Sequence, residues 1–267
     1  MNNIRSRRTR RFPWPAFLLV TLLLPAGNSL AEEPAWRNLP LIEDGKVASA
    51  WKHLGWGGFT VHEGTLRSES APEGMGLLVY QKEKFGNCQI RVVYRSEDAR
   101  DNAGVFIRID DGILTQKNPP AVKRQKDGSL SDAELNKLKK ASAKEQGPWY
   151  AVHHGYEVQI QDAGDPYHRT GAIYSLAPAA ASPRKRPEQW KTMIITLRGN
   201  KILVSIDGKQ VTTFEPHPGG KDPRKKPQWY EPAWGNPRPL RGYIGLQNHD
   251  PGDVVDFKEI SVRPLPE

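Results

Sequence analysis

Nearly every patterned stretch of this 267-residue chain repeats with a period of two, the spacing of a strand that buries one face. The runs lie at 59–61, 65–68, 77–81, 89–95, 103–109, 156–161, 172–174, 192–198, 202–206, 210–214, 243–247 and 254–262. Turn signals separate them, at Glu63-Gly64, Gly199-Asn200 and Asp207-Gly208. Asp-Gly between two apolar runs is a strong hairpin signal, because both residues tolerate the left-handed backbone of a tight turn. Many short strands with Gly- and Pro-rich connections predict an all-β fold: a two-layer antiparallel β-sandwich of jelly-roll type.

One stretch breaks the rhythm. Ser131-Asp132-Ala133-Glu134 has the form of a capping box, and Leu135, Leu138 and Ala141 to Ala143 follow at helical spacing. The segment 115–147 is therefore read as an insertion carrying one short, highly charged helix. A second irregular region, 216–240, is rich in Pro, Lys, Arg and aromatics (Trp229, Tyr230, Trp234). Long loops on a compact sandwich often form the rim or lid of a site.

The N-terminus reads as an export signal. Arg5, Arg7, Arg8, Arg10 and Arg11 precede an apolar stretch at 17–24, and Ser29-Leu30-Ala31 supplies small residues for cleavage after Ala31. The expected organisation is a signal peptide at 1–31 and one domain at 32–267, exported to the periplasm or medium, with no stable membrane anchor after cleavage. Removing the five leader arginines from a formal charge of +9 leaves +4. Eight Lys and Arg residues between Lys117 and Lys144 carry much of the remainder, so the basic balance reflects a loop and does not imply nucleic acid. Cys88, the only cysteine, rules out an internal disulfide and falls on a predicted strand as a buried residue.

Three polar segments stand out. In Tyr156-Glu157-Val158-Gln159-Ile160-Gln161, alternation puts Glu157, Gln159 and Gln161 on one face: a carboxylate and two carboxamides, the groups that recognise hydroxyls. In Asn102-Ala103-Gly104-Val105-Phe106-Ile107-Arg108, Arg108 should share a face with Gly104 and Phe106. In Gly242-Tyr243-Ile244-Gly245-Leu246-Gln247-Asn248-His249, Gln247 and His249 share a face, and His249 ends the strand as a candidate acid/base group. Asp162, Asp165 and His168 crowd the loop after the first segment, in a spacing that matches no metal-ligand pattern.

With Thr170-Gly171-Ala172-Ile173-Tyr174, Trp190, Arg198-Gly199-Asn200 and Asp207-Gly208, these segments occur in an order that resembles the bacterial 3-keto-disaccharide hydrolase domain family, over roughly 41–265. The resemblance implies a concanavalin- or laminin-G-like jelly roll that cleaves glycosides oxidised to a ketone at sugar carbon 3, with a small carbohydrate as substrate and no cofactor. The chain departs from the family pattern at Ala103 (for Ser), at Lys191 (for Asn after Trp190, altering a rim contact) and in the length of the 115–147 insertion. A 3-keto group acidifies the hydrogen on carbon 2, so cleavage needs a base, an acid for the leaving group and a stabiliser of the enolate oxygen. His249 and Glu157 are the expected base and acid in either order, with Arg108 as the stabiliser. Asn102, Gln159 and Gln247 would hold hydroxyls, Tyr174 would line the pocket, and Trp229 or Trp234 would stack on a sugar face. A non-catalytic carbohydrate-binding module, or a scaffold whose basic insertion meets an acidic polymer, would use the same fold.

Overall fold

A computed structural model describes residues 34–180, 186–217, 219–224 and 226–266. The export signal expected at 1–31 lies outside the described residues. The N-terminal strands are short: β1 (Arg37–Asn38), β2 (Ile42–Glu43), β3 (Lys46–Val47), β4 (Trp51–Gly55), β5 (Gly58–His62) and β6 (Thr65–Glu69). Longer ones follow, β7 (Gly76–Phe85), β8 (Cys88–Ser96) and β9 (Ala103–Ile109). A 3-10 turn (Asp111–Thr115), helix α1 (Asp132–Ala143) and helix α2 (Pro148–His154) lead into β10 (Tyr156–Ile160). The chain closes with β11 (Lys191–Arg198), β12 (Lys201–Ile206), β13 (Lys209–Phe214), β14 (Gly242–Asn248) and β15 (Val255–Pro264).

Two antiparallel sheets carry the fold, as the alternation predicted. One has the order β13-β12-β11-β8-β15-β6-β5, with β1 beside β15; the other is β10-β9-β14-β7-β4. Between them lies the main core, to which β8 gives Ile90, Val92 and Tyr94, β11 gives Met193, Ile195 and Leu197, and β10 gives Tyr156, Val158 and Ile160. Cys88 is buried there, and desolvation pushes its thiol up to about 12, an inert structural residue. The hairpin at Asp207-Gly208 forms as expected, with Ile206 paired to Lys209 and both turn residues at positive φ.

The outer face of the five-stranded sheet is divided. Leu54, Leu77, Val79, Phe106 and Tyr243 form its apolar part, which packs against Trp149, Ala151 and Val152 of α2 and Ala141 of α1 in a second, smaller core. The insertion is thus a lid folded onto the sheet. Ser131 caps α1 by accepting from Glu134 N at 3.3 Å, but the capping box is half made, since the Glu134 carboxylate accepts from Lys137 Nζ (2.7 Å) and Lys123 N (2.9 Å) instead. The run at 172–174 is not a strand. It straps the edge of β10 by two hydrogen bonds, Gln159 N to Ala172 O (3.0 Å) and Tyr174 N to Glu157 O (2.9 Å), before the chain turns away at Ser175 with φ 55°. No described helix is long and apolar enough to cross a membrane.

Candidate active site

The polar part of the outer face is built by strand alternation. With Tyr156, Val158 and Ile160 in the core, Glu157 and Gln159 point outward. Antiparallel pairing sets Glu157 opposite Phe106 and Gln159 opposite Gly104. Gly104 is bare for a reason: a Cβ built there would sit 2.4 Å from Glu157 Oε1, so any other residue would displace the carboxyl. One end of the Gln159 amide lies 3.0 Å from Glu157 Oε1 and the other 3.0 Å from Asn102 Oδ1. By rotating, a carboxamide offers either a donor or an acceptor, so Gln159 serves both protonation states of Glu157.

The second half comes from the end of β14. Ile244 and Leu246 enter the core, leaving Gly245 and Gln247 outside. Asn248 is fully buried, donating from Nδ2 to Trp56 O (2.8 Å) and Glu69 O (3.1 Å), with its Oδ1 3.1 Å from His53 Nε2. This fastening fixes the strand end, and alternation then puts His249 on the side of Gln247. His249 Nδ1 is buried, 3.3 Å from Asp253 Oδ2 and 3.8 Å from Asp250 Oδ2, which leaves Nε2 as the ring nitrogen open to the cavity. Gln247 Nε2 lies 3.9 Å from Met75 Sδ, while its Oε1 is buried without a partner among the described residues. A buried acceptor in that state is aimed at a ligand donor.

Asn102, Glu157, Gln159, Gln247, His249 and Asp250 line one cavity of about 340 Å³, within the range of small-molecule sites. Desolvation pushes Glu157 up to about 8, against the lowering effects of nearby His249 and Gln247, so its carboxyl is protonated at neutral pH. Burial pulls His249 down, but the carboxylates of Asp253, Asp250 and Glu157 outweigh it and leave the imidazole above its ordinary value. Two proton carriers, both shifted toward working pH, therefore share one enclosed space.

Tyr174 and Trp229 line the same cavity, Trp229 tilted against Trp149 with ring centroids 5.5 Å apart. Arg108 does not. Its backbone takes a left-handed φ of 54°, and a register shift at Tyr243/Gly245 in the β14–β9 pair accompanies it. The guanidinium is fully buried and donates to the Gly199 and Asn200 carbonyls of the β11–β12 turn, away from the site. Trp234 is also displaced from its expected role, packing against the main core. Lys191 is no rim contact: it is buried, and its ammonium is paired with Asp162. Asp165 pairs with His168 at 2.7 Å, and no group of three metal-ligating side chains converges among the described residues.

The sequence reading missed Asp253 and Arg124. Arg124, from the insertion, lines the cavity and is pinned at three points: Nη2 to Asp250 Oδ1 (2.7 Å), Nη1 to Gly128 O (3.1 Å) and Nε to Pro72 O (3.3 Å). Its signal in the sequence is only one cation among the many of a basic loop. Leu130, Leu135, Leu138, Trp149, Val152 and Met75 add apolar lining, and nothing in their spacing marks them as facing a cavity and not a core.

A family model described as a 3-keto-alpha-glucoside-1,2-lyase-like domain matches residues 36–263. Two solved structures from Parabacteroides distasonis, both candidate glycosyl hydrolases, share the fold. One is 22% identical, covers 80% of this chain and 99% of its own, and superposes with a TM-score of 0.53. The other is 16% identical, covers 83% and 91%, and gives 0.55. No curated protein matches the chain. Because the family match spans both sheets, the insertion and every residue of the cavity, the chain belongs to the 3-keto-alpha-glucoside-1,2-lyase-like domain family.

Proposed function

We propose that this protein cleaves glycosides already oxidised to a ketone at sugar carbon 3. A base removes the proton on carbon 2, giving an enolate. The enolate re-forms the ketone as the bond from carbon 1 to the glycosidic oxygen breaks, and an acid protonates that oxygen. Addition of water across the resulting carbon 1–carbon 2 double bond completes net hydrolysis. The observation that carries this reading is Glu157, a carboxyl held protonated by burial in the same cavity as an imidazole whose Nδ1 lies 3.3 Å from a carboxylate. A module that only binds sugar needs neither group to titrate.

Glu157, held protonated by burial, is assigned as the acid, which leaves His249, through Nε2, as the base on carbon 2. In place of Arg108, Arg124 is the fixed cation available to the enolate oxygen; two of its five N–H groups remain after the three described bonds. Asn102, Gln159 and Gln247 are assigned to sugar hydroxyls, with the unpartnered Gln247 Oε1 as the clearest acceptor. Tyr174 and Trp229 wall the ring. The arginine-rich leader supports action outside the cytoplasm, with the mature chain beginning at Glu32; N-terminal sequencing of protein from the periplasm or medium tests that.

To test the reaction, purified protein is given a 3-keto-glucoside and the unoxidised glucoside, and the released alcohol is measured. Turnover of the keto form alone is expected, and wild-type rates in both Glu157→Gln and His249→Ala refute the assignment. Exchanging the roles of the two groups leaves the pH profile unchanged, so the leaving group decides between them. If Glu157 is the acid, a nitrophenolate leaving group, which needs no proton, rescues Glu157→Gln and does not rescue His249→Ala.

A further inference from the structure

The cavity has two chemistries, and they come from different parts of the chain. Its polar side chains belong mainly to the sheet and the loop after β14, as Glu157, Gln159, Gln247 and His249 show, and the insertion adds the cation Arg124. Its apolar wall is made by the insertion and α2. Leu135 and Leu138 lie three residues apart on one face of α1, and Trp149 and Val152 repeat that spacing on α2.

The use of α1 is unusual for a helix packed on a protein. It buries only Ala141 and Ser142, while its two leucines pack into neither core and stay half-buried, facing the cavity. Leu130, just before the helix, does the same. Three leucines in a lysine-rich segment thus keep their apolar surface for whatever occupies the cavity.

We infer that this wall is the subsite for the leaving group, and that the leaving group is an apolar, ring-bearing alcohol and not a second sugar. The inference rests on the proposed function, because it takes the polar floor as the place of the keto-sugar ring. A second sugar against Leu130, Leu135, Leu138, Trp149 and Val152 would bury hydroxyls among side chains of which only the indole N–H can pair with them. An aromatic or alicyclic group buries apolar surface there with no such loss and finds a ring partner in Trp149, which is tilted at 49° to Trp229.

The test compares benzyl 3-keto-glucoside with a 3-keto-glucosyl-glucose of the same linkage configuration, in both anomers. Benzyl alcohol is no better a leaving group than a sugar hydroxyl, so a preference reports binding to the wall. The expected result is a kcat/KM at least about tenfold higher for the benzyl substrate, the scale on which pockets discriminate unpaired hydroxyls. The double variant Leu135→Asn/Leu138→Asn should lose most of that preference through a fall on the benzyl substrate, while Leu138→Met keeps it. Equal turnover of the two substrates, preference for the disaccharide, or an unchanged ratio in the double variant would overturn the inference and leave the proposed reaction standing. If neither substrate turns over, the proposed reaction fails. Calorimetric titration of both compounds then decides the subsite on its own, with tighter benzyl binding supporting it and equal affinity overturning it.

Discussion

Glu157 should destabilise the protein it serves, by an amount set by pH. The unfolded chain presents an ordinary carboxyl near 4.5, whereas in the fold burial raises it to about 8. Between those values the native state holds a proton that the unfolded state has lost, so stability falls as pH rises. The neutral carboxyl's contribution is fully present below pH 4.5 and is gone once pH passes 8. Each unit is worth about 1.4 kcal/mol, which makes the penalty about 3 kcal/mol at pH 7 and about 5 kcal/mol at pH 9. Glu157→Gln keeps the shape and the neutral state, and removes the ionisation. Urea unfolding at pH 4, 7 and 9 should therefore show the variant level with wild type at pH 4 and progressively more stable above it. At pH 7 the gain corresponds to a Tm rise of about 6–12 °C for a domain of this size. Altered hydrogen bonding to Gln159 would add a constant offset, so the slope with pH carries the test. A difference that does not change with pH, or one that shrinks as pH rises, would refute the argument that burial holds this carboxyl protonated. The expected pattern is that of an active-site residue kept for chemistry at the expense of stability.

Other outcomes follow from the same geometry. The kcat/KM profile should be bell-shaped, its acid limb above the ordinary histidine value because His249 must lose a proton, and its alkaline limb near pH 8 because Glu157 must keep one; in Glu157→Gln assayed with the nitrophenyl substrate the alkaline limb should vanish. Asp253→Asn removes a carboxylate 3.3 Å from Nδ1, so the His249 pKa read by NMR should fall, and a rise would refute the orienting role. Arg124→Met should lower kcat/KM by about a hundredfold, the usual cost of losing one stabiliser of a developing oxyanion, with little change in the affinity for an unoxidised glycoside. Asp162→Asn should cost about 3 kcal/mol in denaturant unfolding, because it leaves the buried Lys191 ammonium without a counter-charge.

Much of the fold was legible because strand alternation is local. Once 156–161 alternates, Glu157 and Gln159 must leave the face that Val158 and Ile160 bury, and the same rule pairs Gln247 with His249. Ser131 announced α1, since a cap is a contact three residues long. Helix α2 gave no such notice: it spans seven residues, and its N-cap Gly147 makes no side-chain bond. The short strands β1 to β3 are two residues each, too brief to show a period.

What the tertiary structure alone decided is which residues of other segments meet that polar floor. Arg108 had the right chemistry and the right parity, yet a left-handed backbone and a register shift turn it toward the opposite sheet. Arg124 had only its charge, yet the insertion folds back over the sheet and ties it to Asp250 beside His249. Parity along a strand is fixed by the pleat between neighbouring residues. The covering of that strand by a loop many residues away is fixed by the apolar area the loop can bury, as Trp149 and Val152 do on Phe106 and Leu77, and no local pattern records it.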